Sequence, residues 1–416
     1  MVSSRSGAGG SRSVVILFSF FDGGLGQNTT AMKTIPLSAW RLSVVTALFF
    51  LLTSFTIGEP SGPQVDEGPV KGQRIMLALL LDTSNSMDGL IEQAKSQLWK
   101  IVNELAAAKC DDGQRPAISI ALYEYGNDGL SSEKGYIRQV SALTSDLDVI
   151  SEKLFALRTN GGNEYCGHVI RTSLQELAWS TSEADLKMIF IAGNEPFTQG
   201  SVSYRTACSL AKEKDVVVNT IFCGGFDEGI STSWKSGADL TGGSYMSIEQ
   251  NRQTVYIATP YDDQIAALND QLNDTYIYYG REGSSKKELQ LAQDVNASRY
   301  SNSNKVERAV SKSSHAYGNS SWDLVDAAKQ DPKVAATTDE KYLPAEMKSM
   351  TPAQREAYVK DKSVERARIQ GEIQKLSEKR KHYTTEHSSG AAQDGSLDAA
   401  LIKAVKTKAK AKNMEF

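Results

Sequence analysis

Asp82-Thr83-Ser84-Asn85-Ser86 sets a carboxylate and two hydroxyls at alternate positions, directly after the apolar run Ile75 to Leu81. Alternate positions in extended chain point to one side, so these oxygens can converge. Hard divalent cations such as Mg²⁺ take oxygen ligands in near-octahedral arrays and keep part of their water shell. The same residue types cap helices by accepting from free backbone N–H groups, and one segment can do both. Cys166 and His168 are a second pair with chemical potential, a thiol beside an imidazole. Their place at the start of a helical pattern fits packing and capping better than catalysis. His315, His382 and His387 stand in polar segments without ligand spacing. There is no GxxxxGK[ST] phosphate loop, no triad signature and no paired acid/base carboxylates on a recognisable scaffold. An enzyme is not expected; a hydrolase built on Cys166 and His168 is the least favoured of the readings.

The elements that must position Asp82 are legible from periodicity. Ile75 to Leu81 is continuously apolar, as in a parallel strand buried on both faces. Leu90, Ile91, Ala94, Leu98, Ile101, Val102 and Leu105 follow at helical spacing. The alternation predicts strands at Ala117 to Tyr125, Met188 to Ala192, Val216 to Phe222 and Ser244 to Ile248, with a short pairing segment at Tyr136 to Val140. It predicts helices at Asp146 to Leu157, Cys166 to Trp179 and Tyr204 to Lys214, and a loop and helix at Gly225 to Leu240. Strands separated by helical patterns imply a doubly wound, mostly parallel α/β sheet with helices on both faces. Ligands in such sheets sit at the carboxyl ends of the strands, which is where Asp82 lies.

D-x-S-x-S after an apolar first strand and before an amphipathic helix resembles the von Willebrand factor type A (VWA) family, whose metal-ion-dependent adhesion site opens with that motif. The resemblance covers roughly residues 73–280. It implies a second metal loop with a Thr shortly after a Gly pair. Here the pair is Gly161-Gly162, followed by Asn163 and Glu164, with Thr159 a weaker candidate before it. It also implies a third loop reading T-D-G-E. Here Ala192-Gly193-Asn194-Glu195-Pro196 puts Gly193 where the family has Asp. The site implied is therefore degenerate, with Asp82, Ser84 and Ser86 first in rank as metal residues, then Asn163 and Glu164, then Glu195. The cofactor implied is Mg²⁺ or another divalent cation.

The rest of the chain divides by composition. Residues 1–31 read as a non-native or disordered extension, with translation expected to begin at Met32. Residues 32–58 hold Lys33, Arg41 and the apolar run Leu42 to Ile57, a signal peptide or uncleaved anchor; the run is shorter than the ~20 residues that span a bilayer. Residues 59–72 are a Gly/Pro-rich linker, and 73–280 the VWA-like domain. Within it, 260–280 suggests a closing helix on the sheet. Residues 281–330 are an extension, a loosely structured connection holding short helices to about residue 320, after which Trp322 to Asp326 dock back. Residues 331–416 are a helical, partly disordered C-terminal region: a solvated helix or short coiled coil over 351–387, a break at 388–396, and a basic helix from Leu397 with its lysines in solvent.

The formal net charge of −4 gives no basic footprint for nucleic acid. The four cysteines fit no paired zinc spacing and leave both free thiols and disulfides open. The expected function is an exported module, periplasmic or extracellular, that recognises a protein partner through the VWA-like domain, with membrane contact only through an uncleaved signal. The alternative is an envelope scaffold with a vestigial metal site, acting through its C-terminal helices.

Overall fold

The computed structural model describes residues 72–252, 256–387 and 396–416. The extension at 1–31, the signal or anchor at 32–58, the linker up to residue 71 and most of the break at 388–396 lie outside the described residues. In chain order the elements are β1 (Arg74–Asp82), α1 (Asp88–Ala106), β2 (Lys109–Cys110), β3 (Ala117–Tyr125), β4 (Ile137–Thr144), α2 (Leu147–Ala156), α3 (Cys166–Glu176), β5 (Leu186–Gly193), α4 (Tyr204–Glu213) and β6 (Val217–Phe222). They continue with α5 (Phe226–Ser231), α6 (Trp234–Thr241), β7 (Tyr245–Ser247), α7 (Asp262–Asn273), α8 (Gly283–Tyr300), α9 (Asn302–Lys312), α10 (Leu324–Ala327), α11 (Val334–Thr337), α12 (Ala345–Lys348), α13 (Pro352–His387), α14 (Leu397–Ala409) and β8 (Met414–Glu415).

The main sheet has six strands in the order β4-β3-β1-β5-β6-β7. All its pairings are parallel except β3 with β4. The expected doubly wound α/β architecture is what forms. β1 lies at the centre, with every residue after Arg74 buried. Its alternate side chains feed two cores. Ile75, Leu77, Leu79 and Leu81 face one core with residues of α1, α2, α7, α9 and α14. Ala78 and Leu80 face another with residues of α3, α4 and α6. In register, Asp82 stands opposite Tyr125 of β3 and Leu81 opposite Ala192 of β5. The carboxyl ends of these strands therefore share one edge.

The C-terminal helices differ from the sequence expectation. α14 is not a solvated basic helix. Leu397, Leu401, Ala404 and Val405 are buried in the core on the α1 side of the sheet, and α14 packs on α1 and against β5 and β6. α7, expected to close the sheet, packs mainly on α9 and α13 instead. Two buried glutamines of α1 receive the N-terminus of α14: Leu397 N donates to Gln93 Oε1 at 3.1 Å and Asp398 N to Gln97 Oε1 at 2.8 Å. First-turn N–H groups lack partners within their own helix, so buried ones need such acceptors. β8 then pairs with β2. The lysines that suggested solvent line the other side of α14, where Lys406 pairs with Glu104 at 3.0 Å.

The segment after residue 280 is more regular than a loose connection with short helices, because α8 and α9 run for 18 and 11 residues with little chain between them. Trp322 and Asp323 dock as expected: Tyr279 N donates to Trp322 O at 2.8 Å and Ile277 N to Asp323 Oδ1 at 2.8 Å. α13 is one 36-residue helix. It buries Val359, Ile369 and Ile373 and packs on α7, α9, α10 and α11 of the same chain. The apolar spacing Ala357, Val364, Ile369, Ile373 and Leu376 gives this helix a thin seam; Ile369 and Ile373 are used inside the chain rather than in a coiled coil, and Val364 is 66% exposed.

Leu401→Ala removes a large apolar side chain from under α1 and is expected to cost about 2–5 kcal/mol. Urea unfolding of the full chain reads this as a lower midpoint at unchanged slope. An unchanged midpoint would mean that α14 does not cover the sheet.

Candidate functional site

β1 ends at Asp82, and the chain turns through Thr83 to Ser86 before α1 begins. Asp82 has no exposed surface, and its Oδ1 accepts from Ser84 N at 2.8 Å. Ser84 Oγ and Ser86 Oγ are 3.2 Å apart. The alternate positions of the motif thus hold two adjacent hydroxyls in the turn that follows a buried carboxylate. The capping role is filled only in part. Ser84 is the N-cap of the short turn before α1 but makes no side-chain cap bond, whereas Asp146 caps α2 in the ordinary way.

Glu164 comes to the same place from the loop between α2 and α3. A Cβ built on Gly126, at the end of β3, would stand 2.8 Å from Asp82 Oδ1 and 2.9 Å from Glu164 Cγ. Gly126 has φ +78°, a conformation that favours glycine, and the lack of a side chain lets the two acids approach. Glu164 is 6% exposed. Its loop is fixed by Asn160 N donating to Thr83 O at 2.9 Å and by Asn127 Nδ2 donating to Arg158 O at 3.1 Å. Thr159 Oγ1 donates to Asp88 on α1. Thr159 is therefore engaged beside the site rather than with the serines, and Asn163 is exposed.

The loop after β5 brings Asn194. Its Nδ2 donates to Ser86 Oγ at 3.2 Å, and its Oδ1 lies 3.4 Å from the same hydroxyl. Glu195 turns aside and accepts from Gln199 Nε2 at 3.1 Å. Gln199 also accepts from Glu164 N, at 3.3 Å, so one amide bridges the second and third loops. The motif pattern ranked Glu195 above Asn194, whereas Asn194 touches the serines. Gln199 carried no signal in the sequence.

Gly193 has a structural reason. A Cβ there would meet Tyr125 Oη at 2.6 Å and Asp82 Oδ2 at 3.0 Å. Tyr125 is buried and its hydroxyl donates to Ala192 O at 3.0 Å. Tyr125 occupies the space that a larger residue at 193 would need.

The electrostatics follow from this crowding. Burial pushes the Asp82 carboxyl up to about 8, and the charges of Glu164 and Glu195 add to the rise. Burial, with the charges of Glu195 and Asp128, lifts Glu164 to about 7. Asp82 Oδ2 is buried with no hydrogen-bond partner. A cation would answer each of these features, and the donors present are the hard oxygens that Mg²⁺ or Ca²⁺ takes. Among the described residues no group of three or more His, Cys, Asp and Glu could by itself hold a metal ion. A cation here would therefore rely on hydroxyl, amide and water oxygens as well as carboxylates.

Cys166 does not form a nucleophilic site. It is fully buried and burial drives its thiol well above the ordinary value. Its sulfur lies 3.9 Å from Tyr125 Oη. His168 packs against Gly135, and burial followed by Arg171 lowers its pKa. All four cysteines are free and buried.

D-x-S-x-S at the carboxyl end of the central strand, in a parallel sheet with one antiparallel edge, decides the comparison. The fold is VWA-like. Among solved structures, the chain is similar to proximal thread matrix protein 1 from the mussel byssus with a zinc-occupied MIDAS motif, at 14% identity and TM-score 0.31, over 42% of this chain and 41% of that one. It is also similar to BatB from Bacteroides thetaiotaomicron, at 15% identity and TM-score 0.32 over 42% and 90% of the two chains. A third is the SpRpn10 VWA domain, at 17% and 0.32 over 44% and 91%. The chain thus spans less than half the length of the matrix protein. No family model and no curated protein matches the sequence.

Because folding raises both carboxyls, the folded chain holds their protons more tightly than the unfolded chain. By linkage, their contribution to stability is fully present below the unfolded values near 4 and is lost as pH rises toward about 8. In chelator the melting temperature is expected to fall between pH 5 and pH 8. Glu164→Gln is expected to flatten that fall, and an equal slope in the variant would show that Glu164 does not share the site's charge.

Proposed function

We propose that the protein is an exported binding module that grips a protein partner at the carboxyl edge of its sheet, through a divalent cation. Ser84, Ser86, Asn194 and Glu164 would hold the cation, with Asp82 supplying negative charge. When bound, the cation would supply an open coordination position that an acidic side chain of the partner can fill. The chain's own residues do the rest. Gly126 lets Asp82 and Glu164 crowd together, Asn194 orients Ser86, and Gln199 ties the two outer loops. The observation that carries the reading is Asp82 Oδ2, a buried carboxylate oxygen without a hydrogen-bond partner, at the head of a turn whose two serine hydroxyls lie 3.2 Å apart.

A protein partner is favoured by the neighbouring surface. α5 starts just beyond the carboxyl end of β6 and exposes Phe226 at 53% and Ile230 at 41%. Large exposed apolar side chains beside a polar site suit a macromolecular contact. Export rests on the apolar run at Leu42 to Ile57, which lies outside the described residues. No helix among the described residues is long and apolar enough to cross a membrane. The scaffold alternative loses support, because the apolar faces of α13 and α14 are largely used within the chain.

Calorimetric titration of Mg²⁺, Mn²⁺, Ca²⁺ and Zn²⁺ into the metal-stripped full chain tests the reading. Saturable binding is expected, absent in Asp82→Ala and weakened in Ser84→Ala. Absence of binding with every ion up to millimolar concentration would remove the cation from the proposal.

A further inference from the structure

α8 and α9 meet the two helices that carry the site loops. α1 begins where the Asp82–Ser86 turn ends, and α2 runs out into the loop that bears Glu164. Between them stands Arg308 of α9, 1% exposed. Its guanidinium lies 4.6 Å from the ring centroid of Trp99 in α1. Its Nη1 is 2.7 Å from Asp148 Oδ1 in α2, an ion pair by distance that lacks hydrogen-bond geometry. Its Nε pairs with Asp294 of α8 at 2.5 Å, and its Nη2 donates to Gln290 O at 3.0 Å. One planar cation thus touches α1, α2 and α8 together. An always-charged fork of this kind fixes direction as well as distance.

Two further ties run the same way. Ser151 of α2, fully buried, donates to Gln293 of α8 at 2.9 Å. Asn304 of α9, also fully buried, donates to Lys95 O in α1 at 3.2 Å. Lys95 Nζ then reaches Leu157 O at 3.5 Å, at the first residue beyond α2 and just ahead of the Glu164 loop. A contiguous path leads from α9 through α1 to that loop.

We infer that Arg308 is a positioning residue for the candidate site. It sets α1 against α2, and thereby the placing of the Ser84–Ser86 turn against Glu164. The inference rests on the cation-binding reading for its consequence but not for its geometry, so it has two readouts. The first is hydrogen exchange of residues 158–165 in chelator, where no cation contributes. The second is Mg²⁺ affinity by calorimetry. Both use the full chain.

The paired variant Asp148→Asn with Arg308→Met removes the link that Arg308 makes between α1 and α2 and leaves the Lys95–Leu157 contact in place. Asp294 keeps Lys312, which lies 2.8 Å from it. Faster exchange at 158–165 with unchanged exchange in β5 and β6 is expected, together with a loss of affinity of about 2- to 30-fold. Arg308→Lys, which keeps the charge and loses the fork, is expected to fall between. A lower melting temperature with wild-type exchange at 158–165 would make Arg308 merely structural and overturn the inference. Where the paired variant does not fold, Arg308→Lys alone is read the same way, with the same outcome required at 158–165. If the unmodified chain binds no cation, the function reading fails on its own and the exchange result still decides this one.

Discussion

A sheet that is parallel through its centre is apolar on both faces, and both must be covered. That requirement organises this molecule. On one side α3, α4 and α6 meet it locally, each close in sequence to the strands it covers. On the other side α1 and α2 meet it only in part, and α14 helps to cover β5 and β6. The chain must therefore return to the sheet after a long helical excursion. The ends of that excursion are fixed at the sheet. Its middle is held by buried polar contacts as well as by apolar packing.

Those contacts are of an unusual kind for a helical layer. α8 buries Gln290 and Gln293 and exposes Leu291 at 41% and Val295 at 45%. Its inward side chains meet polar and charged groups more than hydrocarbon. Arg308 and Lys312 of α9 pair with Asp294, and Arg366 of α13 pairs with Asp323 at 2.6 Å while lying 3.9 Å from the Tyr276 ring centroid. Burial lowers Lys312 to about 8 even with Asp294 opposing it. Pairs of this sort are weak evidence for stability as a whole, yet removing one partner strands the other at a cost of about 3–5 kcal/mol. Their use is registry: a misplaced helix leaves a buried charge unpaired.

This explains which parts of the structure could be read from the sequence. The strands announced themselves because continuous apolar runs such as Ile75 to Leu81 have few other solutions. Asp82, Ser84 and Ser86 were legible because their spacing and their place after such a run are local facts. The absence of a carboxylate at Gly193 was legible too. Its cause was not, since Tyr125 reaches that space from another strand. Glu164 could be named but not placed next to Asp82, because the gap that admits it is Gly126, far away in sequence. α8 read as a loose connection because its apolar residues face outward, which defeats a search for a buried stripe. α14 read as solvated because its lysines masked a narrow stripe of Leu397, Leu401, Ala404 and Val405.

The same contrast bears on how the site is held. Its three loops leave three different elements, and each is fixed by a different class of interaction. The Asp82 turn is fixed by strand register, which tolerates no slip without moving a whole apolar face. The Asn194 loop is fixed by β5 pairing and by Trp234 Nε1 donating to Glu195 O at 2.8 Å. The Glu164 loop has no strand behind it. It follows α2, and α2 is located on its outer side by Asp148 and Ser151, through buried polar contacts with α8 and α9. Ladder hydrogen bonds and apolar burial locate the first two loops within the sheet itself, whereas the third, besides its hydrogen bonds to Thr83 and Asn127 and the packing of α2 on β3 and β4, also draws on helices more than a hundred residues further along the chain. A site that balances two raised carboxyls against two hydroxyls is sensitive to small displacements of either acid, because Coulomb energies in a buried setting change steeply with distance. The helical layer is therefore more than a cover for the sheet: through α2 it sets how closely Glu164 can approach Asp82.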